Sequence, residues 1–208
     1  MANKLNVNPT RQELLKLKTK LKTAQRGHKL LKEKRDGLMK AFMEIIREAK
    51  KSREKIEGTL ARGFKAIIFA SADMRPEVLA EALAVPTKKT TLEATTKNVM
   101  SVHIPQFTYT EEGEVLCYSL GLTSSELDVA LDIFSKVLKD LVTLAEIEHS
   151  ARLLAAEIEK TRRRVNALEY VFIPNMRETI KYITDKLNEQ DRGTILMLMK
   201  VKARIAEA

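Results

Sequence analysis

The most constraining feature of the sequence is a series of positions between Leu14 and Gly63 that are separated by alternating steps of three and four residues. Ten of its fifteen positions are apolar. A mean step of about 3.5 residues is shorter than the helical repeat of about 3.6, so the stripe stays on one face only in a left-handed supercoil with a partner helix. The positions of this first seam are Leu14, Leu17, Leu21, Ala24, His28, Leu31, Arg35, Leu38, Phe42, Ile45, Ala49, Ser52, Ile56, Thr59 and Gly63.

A second seam follows the same rhythm from Leu127 to Phe172. Two successive three-residue steps from Leu141 to Ile147 form a stammer, which overwinds a coiled coil locally. Pro174 lies inside the pattern, so we expect a kink there. The positions of the second seam are Leu127, Ala130, Phe134, Val137, Leu141, Leu144, Ile147, Ala151, Leu154, Ile158, Thr161, Val165, Leu168 and Phe172.

Capping signals mark the start of both helices. Thr10 stands three residues before Glu13, and a second capping-box pattern covers residues 123–126. Because two seams of similar length are separated by about 60 residues, the simplest fold is an antiparallel helical hairpin. It would place both chain ends side by side.

The composition changes between the two seams. Residues 64–72 and 75–84 are predicted as short helices, the second opening at Pro76, and residues 87–96 as a loop. Residues 99–109 and 115–118 are predicted as strands joined across residues 111–113, with Pro105 restricting its strand to an edge. An isolated hairpin is marginally stable, so it should pack on the coiled coil or on another subunit.

The predicted fold class is therefore all-α dominated. A long antiparallel left-handed two-helix coiled coil carries a small head of short helices and a β-hairpin. The predicted domains are an N-terminal coiled-coil helix (1–63), a middle head (64–123) and a C-terminal coiled-coil helix (124–208).

The net charge of +9 is unevenly distributed. Residues 1–35 hold 11 basic and 2 acidic residues, and residues 160–208 hold 11 basic and 6 acidic ones. If the ends lie together, that end attracts an acidic protein surface. The single cysteine, Cys117, fits a reducing compartment, and neither a secretory signal nor a membrane-spanning stretch is evident.

No catalytic, cofactor or metal site is predicted. Gly58 and Gly63 have the spacing of a phosphate-binding loop, but Phe64 stands where that loop needs lysine, and the stretch is helical. The three histidines lack a second ligand at metal spacing, and Cys117 has no neighbouring base.

Two groups of residues are candidate protein-contact sites. Exposed cations of the two basic ends suit shallow contacts with an acidic partner, and the predicted hairpin is a candidate regulatory element. The cations are Lys16, Lys20, Lys22, Arg26, Arg162, Arg163 and Arg164; the hairpin residues are Val99, Phe107, Tyr109, Val115 and Tyr118.

The motifs at both ends resemble the D subunit of the V-type and A-type rotary ATPases. The first is Asn-Pro-Thr-Arg at residues 8–11, followed by residues 14–18 and the Gly-His-Lys-Leu-Leu run at residues 27–31. The second is the run of residues 157–170, followed by Ile-Pro at residues 173–174 and by residues 179–183. The last stretch, residues 190–208, departs from the more charged ending associated with the family, because residues 195–199 are unusually apolar.

The resemblance implies a central rotor shaft made of an antiparallel coiled coil. Its end with both termini would enter the ring of alternating catalytic A and B subunits. The other end would reach the membrane rotor through a funnel-shaped connecting subunit, and the small F subunit of the central stalk would bind partway along. The chain would then be a non-catalytic, cofactor-free, peripheral subunit on the cytoplasmic side of a prokaryotic membrane, coupling ATP hydrolysis or synthesis to proton or sodium transport.

Two other functional classes remain open from the sequence. An antiparallel coiled-coil adaptor or chaperone arm would share the fold and bind an acidic protein without rotating. A nucleic-acid-binding arm is supported only by the basic first helix, which lacks base-stacking aromatic residues. Co-purification with a catalytic ATPase ring distinguishes the rotor from the adaptor.

Overall fold

The computed structural model describes residues 5–84, 87–114, 118–119 and 123–206. Long helices dominate these residues, and one antiparallel hairpin provides the two strands, which confirms the predicted fold class. Val115 and Cys117, with the predictions made for them, lie outside the described residues. The elements are α1 (Arg11–Asp73), α2 (Pro76–Ala84), β1 (Lys89–Val99), β2 (Val102–Glu112), α3 (Ser125–Ala167), a π-helical turn (Leu168–Phe172) and α4 (Ile173–Ala206).

The chain divides into two compact units, each with its own packing. Unit 1 consists of Met1–Gly37 and Ile158–Ala208, and unit 2 consists of Leu38–Glu157. Both chain ends thus belong to unit 1. Its sequence holds 22 basic and 10 acidic residues, so the basic charge predicted for the paired ends is concentrated there.

In unit 1 the first part of α1 runs antiparallel to α4. Arg11 pairs with Asp191 at 3.1 Å, whereas His28 faces Glu169 at 3.4 Å, so the two sequences run in opposite directions. The start of α1 is as predicted, because the Thr10 hydroxyl accepts a hydrogen bond from the Glu13 amide at 3.3 Å.

The first seam is confirmed along its whole length. All fifteen of its positions are buried or half-buried, including the polar ones. On the second seam twelve of fourteen positions are covered, but Leu141 is 38% and Phe172 is 52% exposed. The prediction is wrong at these two positions. Leu141 lies at the stammer, where the change of step rotates the stripe, and Phe172 lies in the π-helical turn.

The helical interruption predicted at Pro174 takes the form of this π-helical turn. The Ile173 amide donates to the Leu168 carbonyl five residues back, and the α-helix resumes at Ile173. Proline has no amide hydrogen to continue the helical bonding, and π-helical turns are a recognised site of helix irregularity.

In unit 2 the second part of α1 runs antiparallel to α3. Lys55 pairs with Asp140 at 3.2 Å, whereas a Cβ on Gly63 would lie 3.1 Å from Ile133. The separate helix predicted for residues 64–72 is wrong, because α1 continues to Asp73. The seam simply continues at two further small residues, Ala66 and Ala70, both of which are buried. The domain division at residues 63 and 123 stays a prediction.

The hairpin exists, but its strands and its turn differ from the prediction. The predicted loop of residues 87–96 is mostly β1, and β1 pairs with β2 from Lys89↔Glu112 to Val99↔Val102. The turn is formed by Met100 and Ser101, both with positive φ, as a two-residue hairpin connection requires. The Asn98 side chain stabilises the turn by accepting a hydrogen bond from the Ser101 amide at 2.9 Å. No glycine marks this turn, so the sequence suggested the wrong connection.

Candidate protein-binding surfaces

A groove in unit 1 runs between the first turns of α1 and the start of α4. It encloses about 680 Å³, and its lining is mainly apolar. Close by, the Thr179 hydroxyl accepts a hydrogen bond from the Leu5 amide at 3.1 Å and donates one to the Asn175 carbonyl at 2.7 Å. The groove is lined by Leu15, Lys16, Thr19, Lys20, Thr23, Ala24 and Met176.

All seven cations predicted as contact residues are exposed and belong to unit 1. Lys16 and Lys20 lie together on the groove, and Lys16 also pairs with Glu13 at 2.8 Å. Arg163 pairs with Glu159. Among the described residues, no ion pair engages the other five cations, so their charges are available to another molecule: Lys20, Lys22, Arg26, Arg162 and Arg164.

The lysine group and the arginine triplet lie at different levels of unit 1. The His28–Glu169 contact separates them, with the groove lysines on one side and residues 162–164 on the other. From Lys16 to His28 alone the axial distance is about 18 Å at 1.5 Å per residue. The structure therefore places the two groups in the same unit as two separate cationic regions.

The last part of α4 forms an apolar surface that the site predictions did not include. Every described residue from Asn188 to Ala206 is exposed, and Met197 is 73% exposed. An exposed apolar surface of this kind is typical of a protein-interaction site. The run of residues 195–199 was its only signal in the sequence. The large side chains are Ile195, Leu196, Met197, Leu198, Met199, Val201 and Ile205.

The β-hairpin of unit 2 is attached to α3 by polar contacts. The Lys88 ammonium lies 2.5 Å from the Ser135 hydroxyl and 2.6 Å from the Glu111 carboxylate. The Phe107 amide donates to the Glu146 carboxylate at 2.9 Å. Hydrogen bonding from Lys88 lowers the pKa of Glu111, which makes this carboxylate a persistent anion.

Two of the predicted regulatory residues, Phe107 and Tyr109, lie next to the groups that make this attachment. Val99, Phe107 and Tyr109 are half-buried, and burial together with the neighbouring Glu111 raises the pKa of Tyr109. The Tyr118 hydroxyl donates to Asp128 at 2.5 Å, so Tyr118 contacts the start of α3 and is not part of a strand. The sequence did not indicate Lys88, Ser135 or Glu146, because their roles depend on tertiary packing.

Gly58 and Gly63, which have the spacing of a phosphate-binding loop, both lie inside the helix α1. In the described ranges, no three residues among His, Cys, Asp and Glu are grouped as a metal site would require. No helix of these ranges combines the length and the apolar character needed to cross a bilayer.

Comparison with known sequences identifies the family. A sequence model that describes the D subunit of ATP synthase matches residues 13–203. The chain belongs to the ATP synthase D-subunit family. It is similar to three bacterial proteins, each named as the D subunit of a V-type ATP synthase. One from Clostridioides difficile is 52% identical, and the match covers 96% of this chain and 91% of that protein. The others are from Acetivibrio thermocellus, at 49% (98% and 93%), and Fusobacterium nucleatum, at 50% (96% of each).

Proposed function

We propose that this chain is the central-stalk subunit of a V/A-type rotary ATPase and transmits torque between its catalytic ring and its membrane rotor. Family membership over residues 13–203 carries the proposal. In this role the chain binds no nucleotide and catalyses no step. It is a peripheral component on the cytoplasmic side of a bacterial membrane, in keeping with the bacterial origin of its relatives.

Paired helices suit torque transmission. In both units α1 packs antiparallel against a second helix, and every position of its seam is covered. Interdigitated side chains resist sliding and twisting of one helix past the other, because any such movement opens voids in a close-packed seam. A single solvated helix lacks this resistance.

Unit 1 suits the catalytic ring of A and B subunits as its partner. Its exposed cations would make shallow, exchangeable contacts with acidic surfaces, each worth about 0–1 kcal/mol, so that none blocks rotation. The exposed apolar end of α4 would be covered inside the ring. The small F subunit and the funnel-shaped connecting subunit complete the proposed set of partners.

Charge reversal of the arginine triplet tests this assignment. Replacing Arg162, Arg163 and Arg164 by glutamate turns three attractions into repulsions, so we expect at least about a tenfold weaker association with the catalytic ring at low salt. ATPase activity and complex yield are the measurements. Reversal of three exposed cations of unit 2 is the matched control: Lys40, Arg47 and Lys51. Unchanged assembly and turnover in the triplet variant would refute the contact role.

The hairpin is proposed to modulate activity or coupling by touching a neighbouring subunit. Its attachment to α3 is polar, and all of β1 except Val99 is exposed, which leaves one strand available for such a contact. Replacing residues 89–112 by a short glycine–serine linker should change the turnover of the assembled complex. Helical content and assembly report whether the rest of the chain folds. If turnover and coupling do not change, the hairpin has no regulatory role.

A pull-down followed by mass spectrometry tests the proposed function as a whole. We expect the catalytic A and B subunits to co-purify with the chain in stoichiometric amounts. Recovery of a different acidic protein, without the ring, would instead identify a non-rotary coiled-coil adaptor.

A further inference from the structure

The inference concerns the free edge of β1, which the contacts of the hairpin define. Phe107 lies opposite Ala94 in the hairpin register. Because the Phe107 amide donates to Glu146 on α3, it points away from β1. Phe107 and Ala94 therefore form a non-hydrogen-bonded pair of the antiparallel ladder, and the amide and carbonyl of Ala94 also point outward.

The same alternation fixes the direction of every backbone group in β1. A two-residue turn places a hydrogen-bonded pair next to it, here Val99 and Val102, which agrees with the assignment of Ala94. Five residues of β1 thus direct both their amide and their carbonyl to the free edge. They are Thr90, Leu92, Ala94, Thr96 and Asn98.

The two edges of the hairpin differ in their protection. On β2, Glu146 binds the outward amide of Phe107, and Pro105 has no amide to present. On β1, every residue except Val99 is exposed, and the strand contains no proline. Among the described residues, nothing binds the outward backbone groups of β1. Natural proteins protect long edges with proline, bulges, a covering segment or charged side chains, and among the described residues β1 has only the last of these, at Lys89, Glu93 and Lys97.

We propose that the free edge of β1 binds an extended segment of a neighbouring subunit, which joins the hairpin as a third strand. The proposal rests on the proposed function, because it places the chain within a multisubunit complex. Backbone hydrogen bonds from the five outward residues would provide the affinity, as in other cases of strand addition.

The side chains of β1 indicate the chemistry of the incoming segment. Lys89, Glu93 and Lys97 share one face at four-residue intervals and are all exposed. Opposite charges on directly facing residues stabilise a strand pair. The segment that fits carries an acidic, a basic and an acidic residue at the same intervals. A second copy of the chain matches fewer charges in either register. Antiparallel pairing centred on Ala94 would place Lys97 opposite Thr91, and pairing centred on Thr95 would place Lys97 opposite Glu93 but leave Lys89 opposite Ser101 of the turn.

Hydrogen exchange of the β1 amides, resolved by fragmentation mass spectrometry, tests the proposal. In the isolated chain the outward amides of Thr90, Leu92, Ala94, Thr96 and Asn98 should exchange freely, whereas the inward amides of Thr91, Glu93, Thr95 and Lys97 should be protected. In the assembled complex the outward set should exchange at least tenfold more slowly. No change in that set on assembly would overturn the proposal, and so would protection that rises with the concentration of the isolated chain.

A variant with a blocked edge provides the second measurement. Ala94→Pro removes one outward amide without removing a ladder bond, and the hairpin already contains Pro105 at a position of the same kind. Assembly should then no longer protect the outward amides, whereas the control Ala94→Ser should behave as wild type. If Ala94→Pro disturbs the inward amides, Lys89→Glu with Lys97→Glu weakens the same contact without a backbone change, and unaltered protection in it refutes the segment chemistry.

The outcomes separate this proposal from the proposed function. Normal assembly without protection of the outward amides overturns strand addition alone. Failure of the wild-type chain to enter the complex overturns the rotor assignment and, with it, the neighbouring subunit on which strand addition depends.

Discussion

Two leucines of the same helix provide a direct test of the seam. Leu17 is on the seam and is 5% exposed, whereas Leu15, two residues earlier, is off the seam and is 65% exposed. Both belong to unit 1, so truncating each to alanine changes the same chemistry in two different environments. We expect Leu17→Ala to destabilise the chain and Leu15→Ala to leave its stability nearly unchanged.

The expected magnitudes follow from burial. Leucine to alanine removes three carbon atoms, each worth about 0.8 kcal/mol when buried. At Leu17 nearly all of this is lost and a cavity remains, so the free energy of unfolding should fall by about 2–4 kcal/mol. At Leu15 only about a third of the side chain is covered, which gives less than about 1 kcal/mol, and the higher helix propensity of alanine offsets part of that loss.

Urea unfolding followed by circular dichroism is the appropriate assay. Thermal unfolding should give a Tm decrease of about 4–16 °C for Leu17→Ala, since about 2–4 °C per kcal/mol is typical of a chain of this size. Because the chain has two units, near- and far-ultraviolet signals should be compared to establish whether they unfold together. Equal losses in the two variants, or a larger loss for Leu15→Ala, would refute the seam.

Two further predictions concern the hairpin. Gly113→Ala should destabilise the hairpin by about 1–2 kcal/mol, because the φ angle of Gly113 is +96° and the new Cβ would lie 2.7 Å from the Thr87 carbonyl oxygen. An unchanged hydrogen-exchange rate of the hairpin amides would contradict this prediction. The lowered pKa of Glu111 contributes stability that is complete above pH 4.5 and is lost as the pH falls through the lowered value. The raised pKa of Tyr109 contributes stability that is complete below pH 10.0 and is lost as the pH rises through the raised value. Lys88→Met should bring the Glu111 pKa back towards 4.5 in an NMR titration, and a Tyr109→Phe difference titration in the ultraviolet should show an ionisation above pH 10.0.

The helices could be predicted from the sequence because their signal is local and repeated. Each step of three or four residues adds to the same stripe, so single polar positions such as His28 and Arg35 do not obscure it. The start of α1 was predictable for a similar reason, since the Thr10 cap lies within one turn of the residues that it caps. The end of α1 is harder to predict, because the composition changes after Gly63 although the helical rhythm continues through Ala66 and Ala70.

The hairpin was harder to predict because its connection and its attachment are not local signals. Met100 and Ser101 adopt positive φ without glycine, so the turn resembles the residues around it. The threonines of β1 favour a strand, but all of β1 except Val99 is exposed and shows no alternation of apolar and polar residues. The contacts of Lys88 and Glu146 depend on how the hairpin packs on α3. The sequence therefore predicted a hairpin and not its register.

The exposure of Phe172 and the turn before Pro174 have a common explanation in the spacing of the seam. Leu168 and Met176 are both covered and are eight residues apart, one more than a pair of alternating steps provides. A π-helical turn takes in one extra residue, which brings Ile173 onto the covered side and turns Tyr170, Val171 and Phe172 outward. The turn ends at Phe172, two residues before Pro174, the residue that has no amide hydrogen. The π-helical turn thus accommodates both the extra residue and the missing amide hydrogen, and the chain stays helical from α3 into α4.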